Sequence, residues 1–154
     1  MNGNTIAGAV ACLALTVTFG QLSGQLLHAQ NPLVGSSGAL LAPGEITWAP
    51  TGRPDTMRAN LRGDSSKGPF EYLSRYDGGW QLPLHYHTND LRGLILAGTM
   101  IIHVTSQPAK ELPAGSYFFV PGKTRHTDAC KPGPPCVVYF AGDAPLDRIN
   151  IDAQ

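Results

Sequence analysis

The chain has 154 residues, enough for one domain with a proper core and too few for two comfortable ones. Its formal net charge is +0 and it has no run of Lys or Arg, so it lacks the field that draws a protein to nucleic acid or anionic lipid. Charged residues are only 14%, while 18 Gly and 13 Pro are spread without a period, which suits many short strands joined by tight turns.

Between Met1 and Ala29 there is no Lys, Arg, Asp or Glu, and Ile6 to Phe19 is almost continuously apolar or small. Leu27-His28-Ala29 followed by Gln30-Asn31-Pro32 reads as a cleavage site, so residues 1–29 are predicted to be a signal peptide and the mature protein periplasmic or secreted. The departure is the missing basic n-region, since the first Lys or Arg is Arg53. Gly20, Gln21, Ser23, Gly24 and Gln25 break the apolar run short of the ~20 residues a spanning helix needs, so no membrane association is expected after cleavage. Residues 30–44, rich in Pro, Gly and Ser, are predicted to be a loose lead-in, and residues 45–154 a single domain.

Within that domain, short β-compatible runs alternate with turn signals. The predicted strands are Ile46–Trp48, Phe70–Leu73, Trp80–His87, Leu91–Leu96, Met100–Val104, Tyr117–Val120 and Val137–Phe140. Asp77-Gly78-Gly79, Ala97-Gly98, Pro113-Ala114-Gly115, Pro121-Gly122 and Pro132-Gly133 punctuate them. Strands at this spacing, with no long amphipathic helix, indicate an all-β sandwich or barrel. Cys130 and Cys136 flank Lys131-Pro132-Gly133-Pro134-Pro135, a segment that must turn, and an oxidising compartment favours a disulfide across it. Closing that loop contributes about 2.4 kcal/mol on chain-entropy grounds.

The chemistry lies in the histidines. His85 and His87 form an H-x-H pair, and on a strand residues two apart share a face with Cα atoms about 6.6 Å apart, so two imidazoles can converge on one ion. His103 has no partner at ligand spacing and reads as structural. The segment Gly79-(five residues)-His85-Tyr86-His87 with Gly98 beyond it resembles the first motif of the cupin superfamily, and Gly115-(five residues)-Pro121-Gly122-Lys123-Thr124-Arg125-His126 resembles the second. The resemblance covers roughly Phe70 to Phe140. It implies a small exported cupin: a jelly-roll β-barrel with one divalent metal on His85, His87 and His126.

Three departures from the motifs matter. Leu91 stands where the first cupin motif usually supplies a glutamate ligand, Lys123 replaces the usual glycine of the second motif, and Cys130 its terminal asparagine. Three-histidine sites without the glutamate occur in the superfamily among thiol and diketone dioxygenases, so the resemblance still implies metal. Asp128, two residues beyond His126 and on the same strand face, is a possible extra ligand. Imidazole suits Fe, Zn, Mn, Ni and Cu, and open coordination positions suit a small organic substrate. Arg92 at the barrel mouth and Tyr139 are possible substrate contacts. Trp80, Leu82, Leu84 and Tyr86 are expected on the face opposite the histidines, and Leu94 and Leu96 likewise outside, which favours a homodimer. The resulting expectation is a dioxygenase-like metal enzyme acting on a small organic molecule. The competing expectation is a non-catalytic cupin that binds a small ligand or senses a metal ion.

Overall fold

The computed structural model describes residues 38–151. The predicted signal peptide, and the predicted lead-in as far as residue 37, lie outside them. Residues 43–45 form a 3₁₀ turn (Pro43–Glu45), after which the chain is all strand and turn.

Eleven strands follow: β1 (Ala49–Pro50), β2 (Thr56–Gly63), β3 (Phe70–Tyr76), β4 (Gln81–Tyr86), β5 (Leu91–Ala97), β6 (Thr99–Val104), β7 (Lys110–Pro113), β8 (Tyr117–Val120), β9 (His126–Cys130), β10 (Cys136–Gly142) and β11 (Ile149–Asn150). They build two antiparallel sheets, ordered β1-β2-β3-β10-β5-β8 and β11-β4-β9-β6-β7, as a cupin jelly roll requires. The strand predicted at Ile46–Trp48 is displaced to Ala49–Pro50, an edge position where Pro50 withholds no ladder hydrogen bond. The unpredicted β2 carries no apolar alternation, because Thr56, Arg58 and Asn60 face a polar cavity instead of a core.

Period-two alternation fills the interior. Leu91, Gly93 and Ile95 of β5 are buried, as are Phe70, Tyr72, Ser74 and Tyr76 of β3 and Val138 and Phe140 of β10. Ile95, Met100, Leu112, Cys130, Cys136 and Val138 pack into a solid plug. The predicted disulfide joins Cys130 to Cys136 within that plug. Leu94, Leu96, Tyr117 and Phe119 remain exposed on the outer face of β5 and β8.

The expected placement of Trp80 and Leu82 is corrected. Leu82 pairs with Asp128 and His85 with His126, so β4 has one residue more than β9 between those rungs. That bulge reverses the alternation, and Trp80 and Leu82 line the cavity on the same side as the histidines. Trp80 stacks on Tyr76 with ring centroids 4.0 Å apart.

Gly98 is the corner at which the chain leaves one sheet for the other. Its φ is +71°, and a Cβ there would stand 2.7 Å from the Pro135 carbonyl oxygen and 2.8 Å from the Cys136 Cα. Both neighbours are backbone and neither can step aside. Gly98→Ala is therefore expected to lower unfolding free energy by about 2 kcal/mol or more in denaturant titrations, whereas Gly115→Ala, with no neighbour within 4 Å, costs only its positive-φ strain.

Candidate metal centre

Two neighbouring strands bring three histidines to one point. His85 lies on β4, His87 just beyond it, and His126 opens β9 directly opposite His85 in the ladder. Ring centroids are 4.2 Å apart for His85 and His126, 5.0 Å for His85 and His87, and 5.3 Å for His87 and His126. Each ring offers a nitrogen within 4.8 Å of the other two, and all three residues are buried.

The backbone fixes which nitrogen that is. His85 Nδ1–H donates to the Pro83 carbonyl and His126 Nδ1–H to the Thr124 carbonyl, each at 2.8 Å. His87 Nδ1–H donates to the Asp147 carbonyl at 2.5 Å. With Nδ1 occupied, the lone pairs sit on Nε2, and His85 Nε2 is buried with no partner among the described residues. A buried acceptor left unsatisfied is costly unless something binds it. Carbonyl-anchored imidazoles with converging free nitrogens are the arrangement that outer-shell hydrogen bonds give a metal site, so the donor set fits a divalent ion.

Burial lowers all three imidazole pKa values, His85 to about 4, so the triad is neutral and ready to ligate near pH 7. Asp128 shares their face. Its Oδ2 lies 3.6 Å from His85 Nε2 and 3.8 Å from His126 Nε2. Burial raises its pKa to about 7, with His87 acting weakly in the other direction. Leu91, where the superfamily motif has its glutamate, is buried and lines the same cavity.

The loop before His126 is clamped to the first histidine pair. Gly122 N–H donates to Asp90 Oδ1 at 2.8 Å, and Lys123 N–H donates to the His87 carbonyl at 2.6 Å. Lys123, in the motif's glycine position, keeps the left-handed backbone with φ +65°. Thr88 caps the Asp147 carboxylate through both N–H and hydroxyl, which steadies the carbonyl that holds His87.

Above the triad opens a cavity of about 1070 Å³, walled on the apolar side by Tyr72, Trp80, Leu82 and Phe140. The structure does not bring Arg92 or Tyr139 to it. Arg92 alternates with buried Leu91 and Gly93, so it points outward, and it is held by Asp143 through two bonds of 2.7 Å. Tyr139 stands between inward-facing Val138 and Phe140 and so points outward, near Glu71. His103 is exposed opposite Ile102. Sequence reasoning missed Arg58 and Arg148, both of which line the cavity. An arginine flanked by strand-compatible residues was the only available signal for Arg58.

The sequence pattern of the ChrR cupin-like domain matches residues 36–145. The chain belongs to this family. No curated protein sequence matches it. Solved structures similar to this ChrR-type cupin include the polyketide cyclase RemF from Streptomyces resistomycificus, at 16% identity and TM-score 0.64 over 75% of this chain and 87% of that one. An RmlC-like cupin from Ralstonia eutropha gives 22% identity and TM-score 0.61 over 75% and 76%. A chain of Rhodobacter sphaeroides SigE in complex with the anti-sigma ChrR gives 22% and 0.54 over 66% and 51%. At these identities the likeness is one of fold.

The pKa directions set a pH dependence for the metal-free ChrR-type cupin. The unfolded chain takes up imidazole protons near pH 6.5, which folded His85 refuses until about pH 4, so these groups lose stability as pH falls across that window. Asp128 works oppositely, because the folded state holds its proton up to about pH 7 and the unfolded state only to about 3.8. Asp128→Asn removes the opposing carboxyl, so in thermal melts of the metal-free protein the Tm of this variant should fall more steeply than that of the wild type as pH drops from about 6.5 to about 4.

Proposed function

We propose that this chain is an exported cupin that holds one divalent transition metal on His85, His87 and His126 and uses it in a dioxygenase-like reaction on a small organic molecule. The observation that carries this reading is the triad itself: three Nδ1–H groups tied to backbone carbonyls, with the free nitrogens turned toward one another beneath a large cavity. Iron, zinc, manganese, nickel and copper all accept imidazole, and the triad does not choose among them. When bound, the ion supplies Lewis acidity and, if redox-active, a place where dioxygen and substrate meet.

The chain's own residues supply the rest. The three imidazoles are held in one tautomer, so ligation costs little reorganisation. Trp80 and Leu82 shield the site from water on one side. Asp128 Oδ2, beside His85 and His126, is the group able to take a proton from a bound substrate and return it. Export, to the periplasm or beyond, is supported by the Cys130–Cys136 disulfide and the apolar N-terminal run.

A second reading is a non-catalytic cupin that captures a small ligand or senses a metal ion. Leu91, an apolar side chain in place of the family's usual carboxylate ligand, favours it. The two readings separate experimentally. Elemental analysis of the purified mature chain should give about one metal per chain, lost in His87→Ala. The iron-loaded protein should then consume oxygen with at least one member of a panel of thiols, diketones and phenols. Stoichiometric metal with no oxygen uptake and no turnover across the panel selects the binding protein. For the enzyme, Asp128→Asn should cut kcat by about 100-fold or more with metal content retained.

A further inference from the structure

Two of the five cations that line the cavity are already neutralised. Arg62 is bonded to Glu71 at 2.6 Å, and Lys67 to Asp64 at 2.9 Å. Arg58 and Arg148 are different. Neither forms an ion pair among the described residues, yet Arg58 Nε and Arg148 Nε and Nη1 are buried with no hydrogen-bond partner. Guanidinium does not deprotonate in a protein, so each of these groups keeps its full charge and its unmet donors. Arg58 is steadied by its stack over the Tyr72 ring, 4.0 Å from the centroid, which fixes the plane without using a donor. Arg53 stands at the rim, where the cavity meets a smaller groove that Arg148 and Asp55 also line.

The cavity's carboxylates do not answer this charge. Asp64 is taken by Lys67 and Ser66, Asp147 is capped by Thr88, and Asp128 faces the imidazoles. Arg148 is also close to the metal centre along the chain, since the residue before it, Asp147, accepts the His87 Nδ1–H. Buried donors on the cavity wall, open nitrogens at the triad and an apolar wall alongside describe a bifunctional guest.

We propose that Arg58 and Arg148 form a carboxylate-binding subsite, and that the small molecule taken by this cavity is an organic carboxylate with an apolar body. The proposal rests on the metal-site reading only for what the other end of the guest touches. The planar forks of two arginines match a carboxylate's two oxygens, and Trp80 and Leu82 match an apolar body better than inorganic phosphate would use them.

Calorimetric titration with benzoate, its neutral counterpart benzamide and inorganic phosphate tests this, on both zinc-loaded and metal-stripped protein. Benzoate should bind both forms, with benzamide and phosphate weaker by about 10-fold or more. Arg58→Gln and Arg148→Gln should each weaken benzoate by about 10- to 100-fold while zinc stoichiometry stays at the wild-type level. Arg58→Lys, which keeps the charge and loses the fork, guards against a variant that fails to fold and should lose less than Arg58→Gln. Unchanged benzoate affinity in the glutamine variants, phosphate binding tighter than benzoate, or no benzoate binding to wild-type protein overturns the subsite. Failure of the metal reading shows separately, as wild-type protein that takes no zinc and still binds benzoate.

Discussion

The site depends on one extra residue in β4. Between the rungs Leu82–Asp128 and His85–His126 the strand gains a step over β9, and a single step in a period-two structure exchanges inside for outside. Because of it, an apolar pair and a histidine pair on β4 and its two ends both face inward. Without the bulge, either Trp80 and Leu82 or His85 and His87 would look outward. Pro83, which lies in the bulged stretch and lacks an N–H, also contributes the carbonyl that fixes the His85 tautomer. One irregularity thus sets both the orientation of a ligand and the apolar lining of the cavity.

β9 runs from His126 at the triad to Cys130 in the core, with Asp128 between them. Enclosure explains the pKa pattern. The imidazoles and Asp128 are enclosed enough that burial disfavours charge on each, which leaves neutral imidazoles next to a carboxyl that titrates near pH 7.

Much of the architecture was legible in the sequence because strands that bury one face announce themselves by alternation. Phe70–Leu73, Leu91–Leu96, Met100–Val104 and Tyr117–Val120 all lie within observed strands. The triad was legible through motif spacing, which is a record of geometry rather than of propensity. What escaped was whatever broke the alternation. β2 faces a polar cavity and so lacks an apolar stripe, and β7 and β11 are short edge pieces. The bulge changes parity at a point where nothing in the residue types marks it, which is why alternation alone puts Trp80 and Leu82 on the wrong face. Arg92 and Tyr139 failed for a related reason: being near a site in sequence does not decide which side of a sheet a residue faces.

The segment after β10 has a larger role than its short strand suggests. The family pattern ends at residue 145, before Asp147 anchors His87 and before Arg148 enters the cavity. Two jobs that would otherwise belong to the barrel wall fall instead to a returning stretch of backbone. A substitution in that stretch would therefore disturb the orientation of His87 and the lining of the cavity together while every histidine stays in place.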